Sequence, residues 1–388
     1  MKVLLITDGI PPETLGGAGR IVLETAMGMH KRGHEVTLVT TAKETGEEVR
    51  DGVRIVRLPQ RGKRWMHYLS VFSQKRAQEI LQIIDEVRPD VIHGHVLAWQ
   101  CGYRWIYGAR GRGIPCLVTA HDVSHIAYGK VVGDETALWF RDARRFRWSW
   151  NPVRNIMIRR ALSKCHKVLC VSDALKKLMA KYGVRHLETL HNGIDLTQWK
   201  NTMSQEEARM QLSIPTDACV FLLAGRLGPD KGTLLLKETL PKDAHILVAG
   251  DGELDTFTAW GDRLHVYTRQ SGEKMKILYC ASDVALVPSL CFDCFPTVNL
   301  EAMACERAVI ATTRGGSKES VVDGTTGWIL DPLDTTGWRD RMAWCVAHRG
   351  ELLAYGKRGR ERVEQKFGLA IYLASLEQHY AAAIKKHH

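Results

Sequence analysis

The run Asp283-Val284-Ala285-Leu286-Val287-Pro288-Ser289, continued by Leu290-Cys291-Phe292-Asp293-Cys294-Phe295-Pro296 and then by Thr297-Val298-Asn299-Leu300-Glu301-Ala302-Met303-Ala304, decides the fold. Its first part is short and almost continuously apolar, which predicts a strand that meets water on neither face. Its last part predicts a helix whose N-terminus falls at Thr297-Val298. Working outward, the same strand-then-helix grammar fills the second half: strands are expected at 219–226, 245–251, 264–269, 308–313 and 327–332. The first half repeats it at 2–8, 35–41, 53–59, 91–95, 116–122 and 167–172. Buried strands separated by helices make parallel sheets covered on both faces. The expectation is therefore an α/β chain of two doubly wound parallel-sheet domains. The turn-forming cluster His191-Asn192-Gly193-Ile194-Asp195 marks the junction. The domains are read as residues 1–195 and 196–368. A terminal segment, 369–388, carries Ile371, Leu373, Leu376, Tyr380 and Ala383 at helical spacing and is expected to pack back on the first domain.

The chain has 388 residues, 45% apolar and 25% charged, which excludes disordered and collagenous classes. No uncharged run approaches the roughly 18–20 residues that span a bilayer, and the first apolar run is interrupted by Asp8, so a cytoplasmic protein with reduced cysteines is expected. The formal charge of +11 points to an acidic partner. Its distribution is more informative. Residues 1–200 hold 32 Lys and Arg against 19 Asp and Glu, whereas residues 201–388 hold 22 against 24, so one half carries the whole excess.

Several segments carry chemistry. Asp8-Gly9-Ile10-Pro11-Pro12 leads to Gly16-Gly17-Ala18-Gly19-Arg20 ahead of a helix, either a phosphate-approaching loop or a tight structural turn. Its spacing is not the dinucleotide fingerprint, which disfavours an NAD-dependent oxidoreductase. Gly225-Arg226-Leu227-Gly228-Pro229-Asp230-Lys231-Gly232 also follows a strand. Arg226 as a fork and Lys231 as a point charge can hold a diphosphate, or can be two solvated bases. Asp293 and Glu301 lie on either side of a helix N-terminus. Paired carboxylates accept hydrogen bonds from vicinal hydroxyls, and the amides of Thr297 and Val298, after Pro296, can meet phosphate. Cys291 and Cys294 have zinc-like spacing, with Cys280 and Cys305 on either side, but buried thiols are the simpler reading. His93 and His95 alternate on a strand, and His121-Asp122 closes another.

Taken in order, the glycine-rich first loop, His121-Asp122, Asn192-Gly193-Ile194-Asp195, the ArgLeu…LysGly loop, the acid-x7-acid segment and Gly315-Gly316 with Glu319 resemble family four of the retaining glycosyltransferases over nearly the whole chain. The resemblance implies the GT-B fold, two Rossmann-like domains facing across a cleft, with the nucleotide-diphospho-sugar donor on the second and the acceptor on the first. By match of motif, Arg226 and Lys231 would bind the diphosphate. Pro296, Thr297 and Val298 would present helix amides to it, Glu301 would bind the ribose, and Gly16 and Gly17 the distal phosphate region. His121 matches the histidine near the reacting carbon. The first acid is usually Glu in this family and is Asp293 here, one methylene shorter, so it would reach the donor sugar differently or through water. Neither metal nor any other cofactor is implied, because fixed positive groups can stabilise the departing phosphate.

The basic excess of the first half comes in aromatic-laced clusters. The densest lies at 139–160 and includes Arg141, Arg144, Arg145, Arg147, Trp148 and Trp150. Such mixtures suit an anionic membrane surface or single-stranded nucleic acid, or form a solvated face over core aromatics. The resemblance favours the membrane, since many family members act on lipid-linked acceptors. The expected activity is transfer of a UDP- or GDP-linked sugar to a lipid-linked or envelope glycan precursor. A small soluble acceptor is the alternative. A nucleic-acid-binding α/β protein is the reading from charge alone, and no helix-turn-helix or RNA-recognition signature supports it.

Overall fold

The computed structural model describes all residues except 15, 63–65, 128–150, 253–254, 269, 271 and 388. The arginines and tryptophans named at 141–150 therefore lie outside the described residues. The chain divides into two compact units, Met1–Gly193 with Leu369–His388, and Ile194–Gly368. The division falls two residues before the end of the turn cluster, because the amide of Ile194 already donates to the carbonyl of Phe367.

In the first unit the strands are β1 (Lys2–Ile6), β2 (Glu35–Ala42), β3 (Gly46–Arg50), β4 (Val53–Pro59), β5 (Val91–Gly94), β6 (Cys116–Ala120), β7 (Lys167–Cys170) and β8 (Leu187–Thr189). They form one sheet in the order β3-β4-β2-β1-β5-β6-β7-β8. All neighbours run parallel except β3, which pairs antiparallel with β4. That hairpin departs from the all-parallel expectation. Its residues, Gly46-Glu47-Glu48-Val49-Arg50, are mostly charged and none is buried, as suits an edge strand that faces solvent. Leu4 and Leu5 on β1 and Leu38 and Val39 on β2 are fully buried, which is why these strands read as unbroken apolar runs.

The terminal helix Leu369–His387 belongs to this unit. Tyr372, Leu373, Leu376, Tyr380 and Ala383 enter the core with Val3, Leu5, Val22 and Ala26. Each large apolar side chain so buried contributes about 1.5–3 kcal/mol. Gly28 makes the close approach possible, since a Cβ there would stand 2.4 Å from Leu373 Cδ1. At the rim, Arg32 and His34 both engage the Glu377 carboxylate, at 2.6 and 2.7 Å.

The second unit holds β9 (Val220–Ala224), β10 (His245–Ala249), β11 (Leu264–Tyr267), β12 (Val284–Val287), β13 (Ala308–Thr312) and β14 (Gly327–Leu330). Their order, β11-β10-β9-β12-β13-β14, is parallel throughout. Phe221, Leu223, Ile246, Val248, Leu286 and Ile310 form the core of this sheet with Trp338 and Met342 from the helix Thr335–Ala347. Each sheet reverses strand order once, between β1 and β5 and between β9 and β12. In open parallel sheets, ligands bind beyond the carboxyl ends of the strands flanking that reversal.

Candidate functional site

In the second unit, the loops after β9, β12 and β13 converge at the reversal. The Asp230 carbonyl accepts the amides of Leu290 and Cys291, both at 3.0 Å, which ties the β9 loop to the β12 loop. The amide of Gly316 donates to the Asp293 carbonyl at 2.8 Å, which ties in the β13 loop. Two glycines are obligatory here. Gly232 (φ 79°) and Gly315 (φ 75°) are left-handed, and a Cβ on either would stand 2.0 or 2.1 Å from the Pro288 or Asp293 carbonyl oxygen.

This stitching brings Lys231 Nζ into a short contact with the Asp293 carboxylate. Ser289 Oγ donates to the same Asp293 oxygen at 3.1 Å. Burial opposes the charge on Lys231, but Asp293, with Cys291 and Asp230, holds the ammonium above the ordinary lysine range. Arg226, half exposed, donates from Nη2 to both Asp230 carboxylate oxygens, at 2.7 and 2.6 Å. The two bases expected to hold a diphosphate thus each rest on a carboxylate, a partnership invisible in the motif reading. Asp230, four residues after Arg226, and Ser289, at the strand end, are the residues that reading missed.

Pro296 precedes the helix Thr297–Ala304, and no side chain caps it. The amides of Thr297 and Val298 therefore stand at a positive helix end with nothing on the helix to accept them. Asn299 is fully buried and donates to Ser320 Oγ at 3.0 Å, fixing the helix against the next turn. Glu301 is 5% exposed and accepts from Tyr279 Oη at 2.9 Å. The site can thus offer a charged fork, a point charge and helix amides to a diphosphate, and carboxylates to hydroxyls.

In the first unit, Gly16 caps the helix Gly17–Lys31, whose first turn has no acid and whose cap makes no side-chain bond. The helix end suits an anion, but the glycine that the packing demands is Gly19, where a Cβ would lie 2.9 Å from the Gly9 carbonyl oxygen. A Cβ at Gly16 would meet open space. Asp8, beyond β1, accepts the amides of Trp99, Gln100 and Cys101 at 2.6–3.0 Å and so orders the loop after β5. Burial raises its carboxyl to about 6 against those three bonds.

His121, beyond β6, joins a histidine cluster. Its Nε2 lies 3.1 Å from His95 Nδ1. The His95 ring stands 4.0 Å from that of His93, centre to centre, and His93 is held by Tyr380 Oη and Thr119 Oγ1, both at 2.8 Å. Burial pushes His121 down to about 4 and His93 to about 3, so both are neutral at pH 7. A cavity of about 540 Å³ at the amino ends of β1, β2 and β4 is lined by charges already paired, Lys2 with Glu35 and Arg54 with Glu86.

The ten cysteines are buried thiols. Cys280 Sγ contacts Asn201 Oδ1 and Cys305 Sγ the Trp199 carbonyl, and no set of metal-ligating side chains converges among the described residues. Arg154, counted above with the basic cluster, is instead a core residue that binds the Ser124 carbonyl at 2.8 Å.

Comparison with known proteins agrees with this architecture. Residues 15–198 match Glycosyltransferase Family 4, and residues 204–362 match Glycosyl transferases group 1. The lipopolysaccharide 1,2-N-acetylglucosaminetransferase of Salmonella typhimurium is 33% identical over 192 residues, 42% of this chain and half the length of that relative. The D-inositol 3-phosphate glycosyltransferase of Saccharomonospora viridis is 27% identical over 91% of this chain and 86% of its own. Sucrose-phosphate synthase from Thermosynechococcus elongatus shares the fold, with a TM-score of 0.82 at 21% identity over 99% of both chains. The chain belongs to the family 4 glycosyltransferases, nucleotide-sugar-dependent enzymes of the GT-B fold.

Proposed function

We propose that this glycosyltransferase is retaining and metal-independent, and moves a hexosyl group from a UDP- or GDP-sugar to a hydroxyl of a lipid-linked or envelope glycan precursor. The observation that carries the reading is the set of positive groups at the β9/β12 reversal: Arg226, Lys231 and the uncapped helix start at Thr297. As the sugar leaves, negative charge grows on the β-phosphate, and preorganised cations and amides stabilise it where it develops. That is the work a divalent ion does in other transferases, so these residues supply it without one. His121 is neutral and suited to hydrogen-bonding a sugar or acceptor oxygen. Retention follows if the acceptor attacks from the leaving-group face and the phosphate takes its proton.

The envelope acceptor is supported by the lipopolysaccharide-modifying relative, which matches half of its own length. Docking on an anionic membrane through the first unit is part of the same reading. A donor panel of UDP-, GDP- and ADP-sugars with excess EDTA tests it. Donor-dependent transfer that survives EDTA and gives a product of unchanged anomeric configuration by NMR is the expected result. Activity lost in EDTA and restored by a divalent ion, or an inverted product, would overturn it.

A further inference from the structure

The helix Thr297–Ala304 offers two kinds of contact one turn apart. Its start can meet a phosphate. Glu301 stands four residues on, on the same face as Thr297, with about 5–6 Å between such Cβ atoms, and helical side chains lean back toward the helix start. A ligand whose phosphate sits at that start therefore brings the group attached to the phosphate within reach of the Glu301 carboxylate. In a nucleotide that group is the ribose, with two vicinal hydroxyls for a carboxylate to accept. Glu301 is 5% exposed, so the direction of its oxygens is set by what packs around them. The Tyr279 phenol, from the preceding helix Gly272–Ala281, donates to Glu301 Oε2 at 2.9 Å. Tyr279 is itself held: it has no exposed surface, and its ring stands edge-on to Trp199, 5.6 Å between centres at 80°. Arg360 Nη1 ties the Trp199 carbonyl, at 3.2 Å, to the Ala304 carbonyl, at 2.8 Å, at the end of the helix that carries Glu301. A carboxylate has about four acceptor positions, and the phenol uses one, so holding Glu301 and binding a hydroxyl are compatible.

We infer that Tyr279 is a positioning residue whose hydroxyl aims the Glu301 carboxylate at a ribose hydroxyl, and so sets a preference for ribonucleoside over deoxyribonucleoside diphosphates. The inference rests on the donor-site reading above.

The test is a titration of the full-length protein by calorimetry. Whichever of UDP, GDP and ADP binds wild type tightest is compared with its 2′-deoxy and 3′-deoxy analogues. Wild type should prefer the ribonucleotide to at least one analogue by about tenfold or more. Tyr279→Phe keeps the ring on Trp199 and removes only the hydroxyl. It should bind the ribonucleotide about tenfold more weakly and that analogue almost unchanged, so the preference collapses. 4-Aminophenylalanine at position 279 returns an N–H donor to the same place and should restore the preference. Equal loss for ribo and deoxy forms in Tyr279→Phe, which a purely structural role would give, or a preference that survives the substitution, would overturn the inference and leave Glu301 in its role. A wild type without preference, or a preference retained in Glu301→Ala, would remove Glu301 from the ribose and the inference with it. Absence of binding by all three diphosphates would sink the donor-site reading on which both stand. If Tyr279→Phe does not fold, 4-fluorophenylalanine at position 279, which fills the space of the phenol without its proton, decides in its place.

Discussion

Lys231 and Asp293 define the energetics of the proposed donor site at the level of single residues. In the ligand-free protein the ammonium already has a carboxylate, so an incoming diphosphate must compete with Asp293 for it. Ser289 also binds Asp293 and can keep the carboxylate in place when Lys231 turns to phosphate. The two substitutions should therefore separate. Lys231→Ala removes a charge-assisted contact worth about 1.5–3 kcal/mol and should weaken nucleoside diphosphate binding about 10- to 100-fold by titration calorimetry. Asp293→Ala frees Lys231, so nucleotide affinity should hold or tighten while kcat falls about tenfold or more, because the sugar loses its carboxylate. Equal loss of affinity and turnover in Asp293→Ala would exclude a role on the sugar. The shorter acid is consistent with this division of labour, since Asp293 reaches the lysine from its own loop.

Among the elements, the terminal helix Leu369–His387 shows what was legible and what was not. Its apolar spacing is plain in the sequence, as are the strands, because buried elements write their period into the chain. Strands β3 and β8 escaped, since an exposed edge and a half-buried run of three residues write no such signal. The residues proposed for the donor site were named from motif order, but their pairings were not. Lys231 meets Asp293 across 62 residues and His95 meets His121 across 26, and only the folded loops decide which atoms touch. The ion pairs of the helix were equally hidden. Glu377 is held down to about 2, chiefly by its hydrogen bond to Arg32, against the cost of burial and with help from His34. A carboxylate whose folded pKa is depressed stabilises the protein above its unfolded pKa of about 4.3 and loses that contribution as pH falls toward the folded value. Glu377→Gln should therefore lower Tm at pH 7, and its difference from wild type should shrink steadily between about pH 4.5 and 2. A constant difference across that range would mean the helix is held by its apolar face alone.

Over the whole molecule, the charge asymmetry is the property that the site chemistry leaves unexplained. Residues 201–388 are close to neutral, and the donor site proposed there needs only a few placed bases, so the excess of residues 1–200 serves something else. Part of it is consumed internally: Arg154 is buried on the Ser124 carbonyl and Arg159 binds the Tyr182 carbonyl at 2.8 Å. What remains exposed on the helix Pro152–Leu162 is a stripe of Val153, Ile156 and Arg160, apolar residues with a base at helical spacing. Val153 is 56% and Ile156 37% exposed, so apolar surface lies beside the base on this helix. No helix of the described residues is long and apolar enough to cross a membrane, so the proposed contact is peripheral. Such docking combines shallow insertion with attraction to anionic lipid, and the second part is screened by salt. The protein should therefore co-sediment with phosphatidylglycerol-containing vesicles at low ionic strength, release several-fold at 0.5 M NaCl, and ignore neutral phosphatidylcholine. Val153→Ser with Ile156→Ser should weaken sedimentation without changing transfer to a soluble acceptor analogue. Binding indifferent to lipid charge and to salt would assign the basic half to solvent, and the enzyme to soluble acceptors.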